Sequence, residues 1–257
     1  MCYGFYPVQG TEGGTDWVDR NEFFRLEREG KIIIRKDGFH YAKDTVGAVL
    51  FQDHRFQTRP VRWDLVPRDF LSSEPSFPLS EVLKKKNSRA KNPVTGKSYG
   101  FDAYNARVET IASLASFKKP WQEGLRCILP TQAFKERPNM DGAPAAFKGK
   151  EYVIKLDGTY FLGGIYDTWE RKSEKLDSCT IITMSSKGNA KIEGIWHERI
   201  PLILTEQEAL RWLDPKTSPD QAMHMCKQLS ADRMDISEVE KPAAKPKPES
   251  QQGSLFL

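Results

Sequence analysis

No apolar run in these 257 residues approaches the roughly 20 that a membrane helix needs. The N-terminus lacks the charged-then-apolar order of a secretory signal. Cysteine is scarce: Cys2, Cys127, Cys179 and Cys226 are the four, and no two stand in CxxC spacing. Neither a disulfide frame nor a zinc site is expected, and the thiols read as reduced and cytoplasmic. Charge of one sign is also lacking. A net +4 permits nucleic-acid binding without arguing for it. No internal repeat is visible. Val94-Thr95-Gly96-Lys97-Ser98 ends like a phosphate loop, but Lys91 stands where the pattern needs its first glycine and no apolar strand precedes it, so it reads as a turn.

What is present begins at the second residue. Methionine is removed when a small side chain follows it, so Met1-Cys2 is expected to mature to an N-terminal cysteine. Its α-amine and thiol together can condense with an aldehyde to an imine and then close a thiazolidine ring.

Hydrophobic periodicity outlines the rest. Asp16 to Glu29 carries Trp17, Phe23, Phe24 and Leu26 at helical spacing, with Gly30 as the stop. Strand-length runs follow at residues 31–35, 45–51, 61–66, 126–134, 152–156, 160–166, 179–184 and 200–204, and Asp157-Gly158 reads as a tight hairpin turn. Thr205 to Glu208 and Ser218 to Gln221 are capping boxes opening two helices. The expected fold is α+β, a barrel-like and mostly antiparallel β core flanked by helices, in one domain over residues 1–239. Residues 70–100, with Lys84-Lys85-Lys86, read as an irregular basic insert, and 240–257 as a disordered tail.

Three segments carry candidate chemistry. Tyr104-Asn105-Ala106-Arg107-Val108-Glu109-Thr110 sets an amide, a guanidinium and a carboxylate close together; alone it reads as a helix start capped by Asn105. Glu136 ends an apolar strand, where desolvation can raise its pKa for acid–base work; the alternative is an exposed strand-end charge. His197 precedes another strand, a setting in which histidine is commonly structural.

In order, Met1-Cys2, Asn105 to Thr110, Arg126-Cys127 through Glu136, Gly164 to Trp169, Thr183, and His197-Glu198-Arg199-Ile200-Pro201 resemble the SOS-response-associated peptidase (SRAP) family over residues 2 to about 204. The resemblance implies a cleft for single-stranded DNA and a covalent thiazolidine between Cys2 and the opened sugar of an abasic site. It implies a catalytic set of Cys2, Asn105, Glu136 and His197, with no cofactor or metal. Arg107 and Arg199 become the phosphate ligands, with Trp63, Phe70 and Thr183 also on the DNA side. Departures are plain. The family opens Cys-Gly-Arg where Tyr3 and Gly4 follow Cys2 here, and its Gly-Phe-x-Glu-Trp reads Ala133-Phe134-Lys135-Glu136-Arg137. Its Asn-x-Ala-Pro reads Tyr41-Ala42-Lys43-Asp44. Two other functions stay open: a thiol peptidase using Cys2 and His197, and a non-catalytic single-strand-binding adaptor. The chain is expected to be a cytoplasmic monomer, at the nucleoid when bound to DNA. Its last residues, with Gln252, Leu255 and Phe256, resemble the bacterial sliding-clamp-binding peptide.

Overall fold

A computed structural model describes residues 2–7, 17–72, 76–88, 96 and 100–240. In chain order the elements are β1 (Gly4–Pro7), α1 (Arg20–Arg28), β2 (His40–Tyr41), β3 (Thr45–Gln52), β4 (Arg55–Trp63), α2 (Leu79–Asn87), β5 (Asn105–Arg107), α3 (Ala115–Gln122) and β6 (Arg126–Glu136). There follow β7 (Tyr152–Arg171), β8 (Glu174–Ser185), α4 (Ala190–Gly194), β9 (Arg199–Pro201), β10 (Ile203–Leu204), α5 (Glu206–Leu213), α6 (Pro219–Met225) and β11 (Met234–Glu238). The class is α+β.

Five strands close on themselves. β6 pairs β7, β7 pairs β8, β8 pairs β4, β4 pairs β3, and β3 returns to β6. Only the β4–β8 step in this ring is parallel. The ring encloses a continuous apolar core that includes Val49, Ile128, Ile165, Ile181 and Trp212. Gly164 lets the strands close in: a Cβ there would lie 2.5 Å from the Thr180 carbonyl oxygen and 3.1 Å from Cys127 Sγ. Helix α5 seals one side. Its Trp212 Nε1 donates to the carbonyls of Cys127 and Gly164, and the buried Arg126 guanidinium donates to those of Trp212, Asp214 and Thr217. A cation at a helix C-terminus meets the negative end of its dipole.

Both capping boxes form as the sequence indicates, on Thr205 and Ser218. Three expectations change. Asp157-Gly158 makes no hairpin; it lies in a bulge of β7, residues 156–159 facing only Gln132 of β6, and β6 pairs both flanks across the break between Thr131 and Ala133. Residues 31–35 form no strand. The basic insert is not irregular throughout, because α2 lies inside it and Lys86 is buried with its Nζ 2.6 Å from Asp64 Oδ1. Lys86 also donates to the Phe101 carbonyl at 3.1 Å, so this one cation ties both ends of the insert to the barrel. Among the described residues no helix is long and apolar enough to cross a membrane.

Both members of the Lys86–Asp64 pair are sealed from water. Lys86→Met leaves a buried carboxylate with only the longer 3.5 Å contact to Arg62 as its cation and should destabilise the chain in urea unfolding, by less than the roughly 3–5 kcal/mol of a fully unpaired buried charge. Adding Asp64→Asn should recover part of that loss; an undetectable effect of Lys86→Met contradicts this role.

Candidate active site

Four strand ends converge on Cys2. β1 pairs β6 with Gly4 opposite Lys135, so the residues just before β1 run alongside Glu136 and Arg137. β5 lies parallel to β8, with Asn105 opposite Ile181 and Arg107 opposite Thr183. β9 pairs the next stretch of β8, with Arg199 opposite Ser185, and His197 immediately precedes β9. Asn105 therefore opens a short strand. The helix-cap reading of this segment fails because β8 supplies its backbone partners.

The contacts are specific. Asn105 Nδ2 donates to the Cys2 carbonyl oxygen at 2.7 Å, and Asn105 Oδ1 is buried with no hydrogen-bond partner. The Cys2 thiol is fully buried, 3.6 Å from the Gly4 carbonyl oxygen. Burial and the nearby Glu136 push that thiol well above its ordinary pKa, so it rests protonated. Glu136 is fully buried, and His197 nearly so. His197 Nε2 stands 3.1 Å from Glu136 Oε2.

The histidine tautomer follows from its other nitrogen. His197 Nδ1 is 2.5 Å from the Arg137 carbonyl oxygen, which can only accept, so Nδ1 carries a proton. Desolvation holds the imidazole down at about 3, aided by the N-terminal ammonium, so the ring is neutral and Nε2 is a bare acceptor. The group facing that lone pair must donate. Glu136 meets the requirement: burial raises its carboxyl from 4.5 to about 8, against the opposing pull of the N-terminal ammonium. A protonated Glu136 could donate to this lone pair across the 3.1 Å contact.

Backbone strain fixes the histidine. Trp196 has φ +56°, a left-handed conformation that costs a bulky residue energy. Its carbonyl accepts from the amides of Asn139 and Met140, and the Asn139 side chain accepts from the Glu198 amide. The segment after Glu136 thereby braces both flanks of His197. Neither Trp196 nor Asn139 is legible as a site residue, because a left-handed tryptophan runs against local propensity.

The residues assigned to DNA divide. Arg107 is more than half exposed and 3.6 Å from Glu198. Arg199 is not offered to a phosphate: it is buried, forked onto Glu109 at 2.7 and 2.8 Å, and bonded to the Thr183 carbonyl at 2.7 Å. Trp63 is fully buried, donates to the Tyr104 carbonyl at 2.7 Å and packs edge-on against Phe5, so it braces the site from beneath. Thr183 is fully buried under β5. Phe70 is partly exposed and edge-packed on Phe101. Gln252, Leu255 and Phe256 lie outside the described residues.

The proton on Glu136 makes stability depend on pH. A carboxyl whose folded value is raised contributes stability that is present below its unfolded value near 4.5 and lost as pH rises through about 8. His197, depressed below 6.5, acts on the acid side, where its contribution is lost as pH falls toward about 3. Glu136→Gln cannot ionise. Urea unfolding should show wild-type stability falling relative to Glu136→Gln between about pH 5 and about pH 8.5. Parallel profiles contradict a proton held by burial.

Comparison with known proteins agrees with this architecture. Two solved structures share the fold, each with a TM-score of 0.65. One is from Bacteroides thetaiotaomicron, at 20% identity, covering 93% of this chain and 92% of that one. The other is from Bordetella bronchiseptica, at 15% identity, covering 93% and 100%. A Bacillus subtilis protein named Abasic site processing protein YoqW is 34% identical over 150 residues, 58% of this chain and 64% of that protein. The rat Abasic site processing protein HMCES is 29% identical over 237 residues, 80% of this chain and 58% of that protein. The chain thus spans less than two thirds of the length of these curated relatives. The model described as SOS response associated peptidase (SRAP) matches residues 26–246, and the chain belongs to that family.

Proposed function

We propose that this chain processes abasic sites in single-stranded DNA by forming a covalent thiazolidine through Cys2. The observation that carries the reading is a fully buried carboxyl, Glu136, 3.1 Å from His197 and close to a Cys2 whose carbonyl is anchored by Asn105. Relatives named as abasic site processing proteins support it.

Once Met1 is removed, Cys2 bears an α-amine whose ordinary pKa near 8 leaves part of it neutral at physiological pH. The nitrogen attacks C1′ of the ring-opened sugar aldehyde. Glu136 gives its proton to the departing hydroxyl, and water leaves as the imine forms. The Cys2 sulfur then adds to the imine carbon while its proton passes to nitrogen, which closes the ring. A carboxyl near 8 can both give and take protons at neutral pH: the carboxylate left after dehydration takes the proton that the nitrogen sheds as the neutral imine forms, with the bare Nε2 of His197 facing it. Asn105 holds the Cys2 carbonyl, and its open Oδ1 suits a sugar hydroxyl. Arg107 meets a flanking phosphate. The imine can also eliminate the 3′ phosphate, a weak lyase reaction that ring closure suppresses.

The peptidase reading asks for a thiolate activated by His197. Here the thiol is raised, and both histidine nitrogens are engaged, with Glu136 and with the Arg137 carbonyl. A purely adaptor role leaves the buried Glu136–His197 pair without a task. The C-terminal Gln252, Leu255 and Phe256 are assigned to a sliding clamp, with Leu255 and Phe256 filling an apolar pocket. A peptide of residues 249–257 should bind the cognate clamp, and one with both Leu255 and Phe256 as alanine should not; equal binding by the two removes this partner.

Incubated with an abasic single-stranded oligonucleotide, the wild type should give a heat-stable adduct and Cys2→Ser only a hydrolysable imine. Glu136→Gln should slow adduct formation roughly a hundredfold or more, with little change in DNA affinity. Arg107→Ala should instead weaken binding and lower the salt slope by about 0.7, one phosphate on a single strand. A stable adduct in Cys2→Ser, or lost affinity at an unchanged rate in Glu136→Gln, contradicts the reading.

A further inference from the structure

Arg137 is a cation on the rim of this site, and nothing above gives its side chain a task. Its backbone carbonyl holds the His197 ring, and the residue before it is Glu136. Its side chain is 61% exposed, yet it is held from two directions. Glu151 Oε2 accepts from Nε at 3.2 Å and from Nη2 at 2.8 Å. The guanidinium lies over the Tyr3 ring, 4.4 Å from its centroid. Tyr3 is in turn packed against Tyr41, centroid to centroid 6.2 Å. These bonds use one edge of the guanidinium and leave Nη1 at the other.

The surrounding residues fit one another. Tyr41 pairs with Gly4, and a Cβ at Gly4 would stand 3.2 Å from the Tyr41 ring, tighter than most such contacts. A side chain is thus disfavoured at residue 4, and the rim beside Cys2 is built from Tyr3, Tyr41 and Arg137. Lys135 sits behind them, nearly buried and bonded to Asp37 and the Tyr41 hydroxyl. Its charge is already met, which leaves Arg137 as the accessible cation of this cluster.

We propose that Arg137, aimed by Tyr3 and Glu151, binds a backbone phosphate next to the reacting sugar. The inference rests on the abasic-DNA reading and names a second anchor for the strand. Arg107 ends β5, with its guanidinium beside Glu198, and Arg137 directly follows β6, with its guanidinium on Glu151, so the two cations reach the site from different strands. A guanidinium fixed on one edge presents the other to a phosphate oxygen with little ordering cost.

The test uses a single-stranded oligonucleotide with a tetrahydrofuran abasic analogue. It has no aldehyde, so binding is read apart from Cys2 chemistry. Arg137→Ala should weaken binding about tenfold and lower the salt slope by about 0.7. Arg137→Lys should keep the slope and recover only part of the affinity, because lysine lacks the fork. Tyr3→Ala should lose affinity at an unchanged slope. An Arg137→Ala protein with wild-type affinity and slope overturns the proposal, as does a wild type that does not bind the oligonucleotide. A wild type that makes no adduct on true abasic DNA, but loses the slope with Arg137→Ala, leaves this contact standing and removes the thiazolidine reading.

Discussion

A carboxyl group with no access to water sits beside a cysteine and a histidine, and the local structure is arranged around burying it. Burial raises Glu136, but burial alone sets no direction for its proton. The direction comes from the Arg137 carbonyl, which takes the Nδ1 proton of His197 and turns the bare Nε2 toward Glu136. A strained Trp196 and the Asn139 bonds hold the ring there. The strain is tolerated because the surrounding backbone bonds over-determine the conformation.

The closed ring of strands is what brings these groups together. Residue 2 meets residues 105 and 136 because β1 pairs β6 while β5 and β9 share β8 as their neighbour. The lining is made from residues that look functional in the chain but serve as struts. Arg199 binds Glu109 and the Thr183 carbonyl, and Trp63 ties β1 to the residue before Asn105. They read as supports for one reason: each is buried, with Arg199 Nη1 and Nη2 and Trp63 Nε1 already engaged by neighbours. The cations left exposed near this lining are Arg107 and Arg137.

Local features were readable from the chain and long-range ones were not. The Thr205 and Ser218 capping boxes depend on four consecutive residues, and both form. Asp157-Gly158 has a turn's composition, but β6 pairs both of its flanks and keeps the strand continuous. Asn105 has a cap's composition, but β8 recruits it into a sheet. Lys86 belongs to a run of lysines that reads as solvated; Asp64, 22 positions away, draws it inside. Cys2, Asn105, Glu136 and His197 were grouped by their order along the chain and lie together in the fold, while the contacts of Tyr3, Glu151 and Trp196 are geometry that no spacing records.

The central claim is that Glu136 and Asn105 serve an N-terminal cysteine in covalent capture of an aldehyde. Intact mass spectrometry of the chain after incubation with abasic single-stranded DNA tests it most directly. The expected product is the chain lacking Met1 plus the oligonucleotide, less one water, with the DNA-bearing peptide starting at Cys2. An unchanged protein mass, or an adduct mapped to any other residue, contradicts the account.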